Sequence, residues 1–381
     1  MKIFHTADWH LGKLIHNVYM TNDQQHILDQ FITYIKEEKP DVVVIAGDLY
    51  DRAIPPIEAV ELLDDVLKRI VIDLKTPVIA ISGNHDSPQR LDFGSSMMKE
   101  QGLYLVGELR NPLTTIKRTD EHGEVHFHLI PYADPGKVRY ALQNEDIRTH
   151  DDAMKAIVDQ LVETMDKDAR HVFVGHAFVT PTGEKEENTS ESERPLAIGG
   201  AEYVNARYFK HFHYTALGHL HQAHFVYQEN IRYAGSPMKY SISEEKHKKG
   251  FYVVDLQENG EVVLEKRLFT PKRDMRRITG TIEEILQHTP SEDYVFVTLQ
   301  NDTPVLHPME KIRSVYPNAM HVERQMMKRE LEETEEIIQR HKMDELSLFK
   351  AFYKEMKREE LSEEKENLFT EVVEEMRKSE V

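Results

Sequence analysis

The chain has 381 residues, of which 40% are hydrophobic, and its 67 acidic and 48 basic side chains give a formal net charge of −19. There are 15 Phe, 16 Tyr and no Cys, a composition that suits folded cores and excludes disulfide scaffolds, thiolate-held zinc, iron–sulfur clusters and thiol nucleophiles. No run of about 18 apolar residues offers a membrane span, and the acidic balance argues against a broad basic surface that would hold nucleic acid unaided.

The length predicts two or three domains. The opening MKIFHTADWH has no long apolar stretch of the signal-peptide kind, so a cytoplasmic protein is expected. From there to about residue 270, short apolar runs stop again and again at polar residues. Ile3–Ala7 ends at Asp8, Val42–Ala46 at Gly47 and Asp48, and Val78–Ser82 at Gly83, Asn84 and His85. Val172–Val174 ends at Gly175 and His176, and Tyr214–Leu217 at Gly218 and His219. Such nearly unbroken apolar runs suit strands buried on both faces. Helical patterns lie between them, at about 22–38, 56–73, 88–101 and 150–167, and alternating strands and helices predict a layered α/β domain. Residues 180–194 are almost wholly polar and read as a surface loop. Further strands are expected at Ile231–Ala234, Gly250–Leu256 and Val262–Leu268. A small β-α-β-α-β unit follows over 275–325, and 326–381 becomes helical and highly charged. Residues 323–381 hold 18 acidic against 12 basic side chains.

In open α/β sheets a ligand binds outside the carboxyl ends of the strands. Five runs here end in Asp, Asn or His, giving Asp8-x-His10, Gly47-Asp48, Gly83-Asn84-His85-Asp86, Gly175-His176 and Gly218-His219-x-His221. Residues two apart in an extended segment project to one side, which pairs Asp8 with His10 and His219 with His221. Mixed carboxylate, amide and imidazole donors suit divalent Mn, Fe or Zn. A lone Asp-x-His is weak and GNHD could be a turn, but five ordered blocks at strand ends rarely arise from packing alone. The other histidines have bland roles: His122, His126 and His128 fall on a probable hairpin with no Asp or Cys arranged around them.

The ordered blocks resemble the calcineurin-like metallophosphoesterase superfamily over residues 1 to about 240. The resemblance implies a layered α/β metallophosphoesterase sandwich with two divalent metal ions, manganese being the favoured ion. It also assigns their ligands: Asp8, His10, Asp48 and His221 at one metal, Asp48, Asn84, His176 and His219 at the other, with Asp48 bridging. A water activated between the two metals then attacks phosphorus in line, and His85 protonates the leaving oxygen or stabilises the transition state. Asp51, in GDLYDR, is expected to hydrogen-bond His85 as the second catalytic residue, and Arg52 to bind a phosphate oxygen or to form only a surface ion pair.

The flanking segments TADWHLG, GDLYDRAIPP, SGNHDSPQRL, ESERPLAIGGAE, ALGHLHQ and YAGSPMKYS are similar to those of SbcD-type DNA exonuclease subunits. That likeness implies three parts: a nuclease domain over 1–270, a small α+β DNA-capping domain over 271–325, and a helical C-terminal segment over 326–381 that docks on the SbcC ATPase. Leu346, Phe349, Tyr353 and Met356, then Leu361, Leu368, Val372 and Met376, form apolar stripes of the kind that seat in a partner's groove. The implied activity is 3'–5' exonucleolytic on duplex ends and endonucleolytic on single strands and hairpins. It would serve DNA replication, recombination and repair in a nucleoid-associated complex with two copies of each subunit, the nuclease subunit itself dimeric, on DNA and away from membranes. The chain has no GxxxxGK[ST], so ATP would bind elsewhere. A small-molecule or protein phosphatase would share all seven ligands but have no use for the capping unit or tail stripes.

Overall fold

A computed structural model describes residues 1–183, 203–324, 345–357, 361–362, 365–366, 368–370 and 372. Most of the polar loop over 180–194 and Met376 of the tail stripe lie outside these residues.

Two six-stranded sheets stack face to face. In the first, the strands run in the order Val262–Leu268, Gly250–Leu256, Lys2–Thr6, Val42–Ala46, Val78–Ile81, Leu103–Val106. The last four are mutually parallel, as short apolar runs linked by helices require. In the second the order is His224–Val226, Gln228–Tyr233, Tyr214–Gly218, Arg170–His176, Gly123–Ile130, Thr114–Asp120, again with four parallel strands at the centre.

Side chains alternate across each strand and so serve two cores. Ile3, Val42, Val44, Ala46, Val172, Val174, Tyr214 and Ala216 fill the space between the sheets. Phe4, Val43 and Ile45 turn outward to pack with Phe31 and Ile35 of helix Thr21–Glu38 and with Leu63 and Val66 of helix Ile57–Lys68. Phe173 and Leu217 of the second sheet turn the other way, onto Ile157 and Leu161 of helix His150–Thr164. The four layers are thus helix, sheet, sheet, helix.

The helical pattern over 88–101 does not form one helix. Pro88–Asp92 and Ser95–Met98 are separate turns, and Gly94 between them has φ +74°, which only a residue without Cβ adopts cheaply. Beyond the sandwich, strands Met275–Gly280, Tyr294–Leu299 and Ala319–Arg324 form a three-stranded sheet with helices Ile282–Ile285 and Pro308–Arg313 around their own core. Met1–Glu323 make one compact unit and Arg324–Val381 a second. In the second, helix Glu345–Lys357 stacks Phe349 on Phe369, ring centroids 4.0 Å apart.

At the end of the sandwich away from the strand carboxyl ends, Arg170 ties the sheets together. Its guanidinium donates to Asp120 and the Gly123 carbonyl of the hairpin turn and to the Leu256 carbonyl of the other sheet. Burial alone would raise the Asp120 carboxyl, but the Arg170 guanidinium and the His122 amide hold it well below the usual range. A depressed folded-state pKa stabilises the fold above the unfolded pKa and loses that contribution as pH falls through the folded one. Asp120→Asn should therefore cost about 2–3 kcal/mol at pH 7 in urea unfolding. Its deficit against wild type should be constant above about pH 5 and shrink as the pH drops below 4.

Candidate metal centre

The five polar blocks meet at one end of the sandwich, at the carboxyl ends of the central strands of both sheets. Asp8, His10, Asp48, His176, His219 and His221 are buried, while Asn84 and His85 are half-buried and form the opening. Asp8, His10 and Asp48 have φ of 54°, 45° and 52°. Non-glycine residues in the left-handed region are uncommon, and their clustering at one spot marks backbone held against its preference. Main-chain bonds hold it there: the Asp8 amide donates to Gly47 O (3.0 Å), and the His10 amide to Asp48 O (3.0 Å). The first strand-end loop is thus clamped onto the second.

The Asp48 carboxylate sits at the middle. Its Oδ1 accepts from the His85 amide at 2.9 Å. Its Oδ2 lies 3.6 Å from His10 Nε2 and 3.4 Å from His176 Nε2. The Asn84 side-chain oxygen is 2.9 Å from His176 Nε2 and 3.3 Å from His219 Nδ1. Asp8 Oδ1 accepts from the His219 amide at 2.9 Å. His10 Nε2 and His221 Nε2 face each other at 3.0 Å.

These imidazoles are oriented from behind. His176 Nδ1 donates to Ala46 O at 2.9 Å and His221 Nδ1 to Glu244 Oε1 at 3.0 Å, so each Nε2 is turned inward. Burial holds His10, His219 and His221 below the ordinary histidine pKa, which keeps them neutral and able to ligate. For His176 burial also opposes the charged form, but Asp48 and Asp8 overcome it and raise its pKa to about 9. Conversely, burial works against ionised Asp48, and His176 and His10 keep it ionised, well below the usual carboxylate range. Imidazoles, an amide oxygen and two buried carboxylates facing inward form a donor set that fits divalent cations. Asp8, His10 and Asp48 bring ligand atoms within 4.8 Å of one another, as do His10, Asp51 and His85.

Two glycines allow this closeness. A Cβ on Gly83 would overlap Asp48 Oδ1, and one on Gly218 would overlap the Ala46 carbonyl. Asp86 fixes the same corner: its carboxylate accepts from the amides of Leu49 (3.1 Å), Tyr50 (2.9 Å) and Gly83 (2.9 Å). Burial and nearby Asp48 push Asp86 up to about 7 against the pull of those donors.

The calcineurin-like phosphoesterase family profile matches residues 1–223. A second profile, described as the type 5 capsule protein repressor C-terminal domain, matches 271–357. The chain is 35% identical over 368 residues to the SbcD component of the nuclease SbcCD from Staphylococcus epidermidis, covering 95% of each chain. The chain belongs to the calcineurin-like phosphoesterase family. Within that family it is a homologue of SbcD-type nuclease subunits, and membership implies divalent metal ions. Among solved structures it is similar to GAP50, the anchor in the inner membrane complex of Plasmodium, at 12% identity and a TM-score of 0.39, covering 85% of this chain and 96% of that one. It is also similar to a dimetal phosphatase from Danio rerio, at 12% identity and a TM-score of 0.39, covering 70% and 96%.

In this calcineurin-like phosphoesterase all seven expected ligand residues converge, and His85 lies beside them, its ring 4.7 Å from that of His10. The link from His85 to Asp51 differs from the expectation. His85 Nδ1 donates to the Asp51 main-chain carbonyl at 2.8 Å, whereas the Asp51 carboxylate turns to Lys13 Nζ at 2.8 Å and lies 3.7 Å from His10 Nδ1. The short loop from Asp48 to Asp51 brings the backbone, not the side chain, opposite the ring. Arg52 is exposed on that loop. The expected bareness around the hairpin histidines also fails: Glu124 Oε2 is 2.6 Å from His126 Nε2, and Asp166 lies close by. Trp9 packs, with its indole donating to Thr6 Oγ1 at 3.0 Å.

Several supporting residues carried no sequence signal. Gln24 donates to the Trp9 and His10 carbonyls and accepts from the Gly12 amide, and Tyr240 donates to Trp9 O. Glu244 and Lys249 stand behind His221. Only Asp86, beside Asn84 and His85 in GNHD, could have been suspected from its place in a motif. The crowding at Gly83 gives a direct test. Gly83→Ala should fold with a loss of about 1–3 kcal/mol in urea unfolding, and the His85 amide, pushed off Asp48, should exchange with solvent faster in hydrogen–deuterium exchange.

Proposed function

We propose that the chain is a manganese-dependent DNA nuclease subunit, exonucleolytic (3'–5') on duplex ends and endonucleolytic on single strands and hairpins. It would work with an SbcC-type ATPase on DNA ends in the cytoplasm, at the nucleoid. The observation that carries this reading is the placement of Asp48 Oδ2, 3.6 Å from His10 Nε2 and 3.4 Å from His176 Nε2. There Asp48 could serve both halves of the ligand set. Asp8, His10, Asp48 and His221 would hold one cation, and Asp48, Asn84, His176 and His219 the other. When bound, the pair supplies Lewis-acid activation of water and neutralises phosphate charge.

The chain's own groups do the rest. His85 stands at the opening with Nδ1 held by the Asp51 carbonyl, which leaves Nε2 to hand a proton to the leaving oxygen. Its amide is tied to Asp48, so ring and bridging carboxylate keep their spacing as a substrate enters. Lys13 neutralises Asp51, and Arg52, exposed at the rim, reaches for a neighbouring phosphate. The 35% identity along nearly the whole chain to a nuclease subunit, including the 271–357 match, favours this reading over a small-molecule phosphatase. Such an enzyme has no need of the capping unit over 271–325 or of a docking segment over 326–381. Phe352, Met356, Leu368 and Val372 are exposed in that segment, as a surface for a partner ATPase requires.

The complex would contain two copies of each subunit. Val60, Ile72 and Phe93 line one groove and are exposed, and Ile57 lies a turn before Val60 on the same helix. A second copy of the chain covering this apolar face accounts for its exposure.

Cleavage of labelled duplex and hairpin DNA with Mn²⁺, with and without the ATPase partner and ATP, tests the activity. Wild type should cut, and His85→Gln should bind metal normally yet lose at least about 100-fold in rate. Faster hydrolysis of a small phosphate monoester than of any DNA would replace the nuclease reading with a phosphatase. For the dimer, Val60→Glu with Phe93→Asp should shift the chain from two copies to one in light scattering while the circular dichroism spectrum stays the same.

A further inference from the structure

Behind His221 lies an ion pair that the reaction itself does not use. Glu244 ends the short turn Ile242–Glu244, and its carboxylate is fully buried. One oxygen accepts from His221 Nδ1 at 3.0 Å, the other from Lys249 Nζ at 2.5 Å. Lys249 also donates to the His221 carbonyl (2.9 Å) and to Ser236 Oγ (2.7 Å). The ring and main chain of one residue are therefore gripped by a single buried pair. Burying two charges is costly, and an apolar pair of similar volume often serves stability as well or better. A purely structural role does not explain the pair, whereas a positioning role does: a carboxylate on Nδ1 fixes the tautomer, aims Nε2 and raises ligand basicity.

The next residue faces the other way. Glu245 Oε2 accepts from the Arg277 amide at 3.2 Å and lies 3.8 Å from Arg277 Nε. Arg277 belongs to strand Met275–Gly280, the first of the three-stranded capping sheet. Just before the turn, Lys239 reaches the same strand, with Nζ 2.8 Å from Asp274 and donating to Met275 O at 3.2 Å. Tyr240, between them, donates to Trp9 O in the loop that carries His10. One short segment, 239–249, thus touches the capping strand on one side and the imidazoles of His221 and His10 on the other.

We propose that Glu244 and Lys249 are positioning residues for His221, and that Glu245 couples their position to the capping unit. When the capping strand moves, the turn moves with it and the aim of His221 changes. The inference rests on the reading of His221 as a metal ligand.

The test is Mn²⁺ titration of the full chain, followed by electron paramagnetic resonance of the free ion, with thermal melting alongside. Wild type should bind two ions. Glu244→Gln should weaken one of the two by about 10–100-fold and leave the other unchanged. The double variant Glu244→Gln with Lys249→Met removes both buried charges; it should recover thermal stability but not the lost affinity. Glu245→Ala should weaken the same ion by roughly fivefold. Wild-type affinity at both ions in Glu244→Gln, or affinity restored together with stability in the double variant, overturns the positioning role. Wild-type affinity in Glu245→Ala overturns the coupling. Failure of the wild-type chain to bind two ions takes down the metal-centre reading and this inference with it.

Discussion

Everything at the metal centre depends on how closely two stacked sheets approach at their carboxyl ends. Ala46 O is where they touch. It accepts from His176 Nδ1 of the opposite sheet, and the main chain at Gly218 passes so near that a methyl group would overlap it. The inter-sheet core explains why the approach is so close there. Where the strands of the two sheets touch, the inward-facing residues of the contacting strands are small: Ala46 and Ala7 on one side, Ala216 on the other. Small side chains at those positions let strand ends meet that sheet packing otherwise keeps about 10 Å apart. At the opposite end Arg170 spans the sheets as a strut. The sandwich is pinned at one end by the Arg170 hydrogen bond to Leu256 O and closed at the other by contact.

That closeness sets the electrostatics. Two carboxylates and several imidazoles share a space with little water, so each group's charge is decided by its neighbours. Burial discharges His10, His219 and His221, while Asp48 and Asp8 keep a proton on His176. A divalent cation has the same relation to the two carboxylates as that proton and more charge to offer them. A cation held by His176 would have to displace that proton, so its affinity would rise with pH until the proton is gone.

The parts of this centre that were legible in sequence share one property: they are local. A strand that ends in Gly-Asp or Gly-Asn-His declares both its burial and its chemistry within six residues, and five such blocks name a site without any knowledge of pairing. The three-stranded unit was legible for the same reason, as short apolar runs with helical stretches between them. What was hidden is nonlocal or depends on backbone direction. Gln24 acts on residues fifteen positions away, and Tyr240 on one 231 positions away. Nothing in SISEEKHKK marks Glu244 as buried and Glu245 as surface-facing, since a charged run is usually a solvated face. Asp51 and His85 do hydrogen-bond, but through the Asp51 main-chain carbonyl, because sequence spacing shows that two residues can meet but not which groups do. At 88–101 the apolar spacing is helical throughout, yet the chain breaks at Gly94, where φ is +74°.

Net charge misleads in a comparable way. A chain at −19 looks hostile to any polyanion, yet the cations are not spread evenly. Lys248, Lys249, Lys266 and Arg232 crowd together near strand Gly250–Leu256. Burial first, then those neighbouring cations, lower the Lys266 pKa to about 8. Lys249, Arg232 and Lys248 lie close enough to act on Lys266, so cations gather locally within an acidic chain. Glu244 neutralises one member of the group, Lys249, and is itself the acceptor for His221. The cation cluster and His221 are therefore joined through one buried carboxylate.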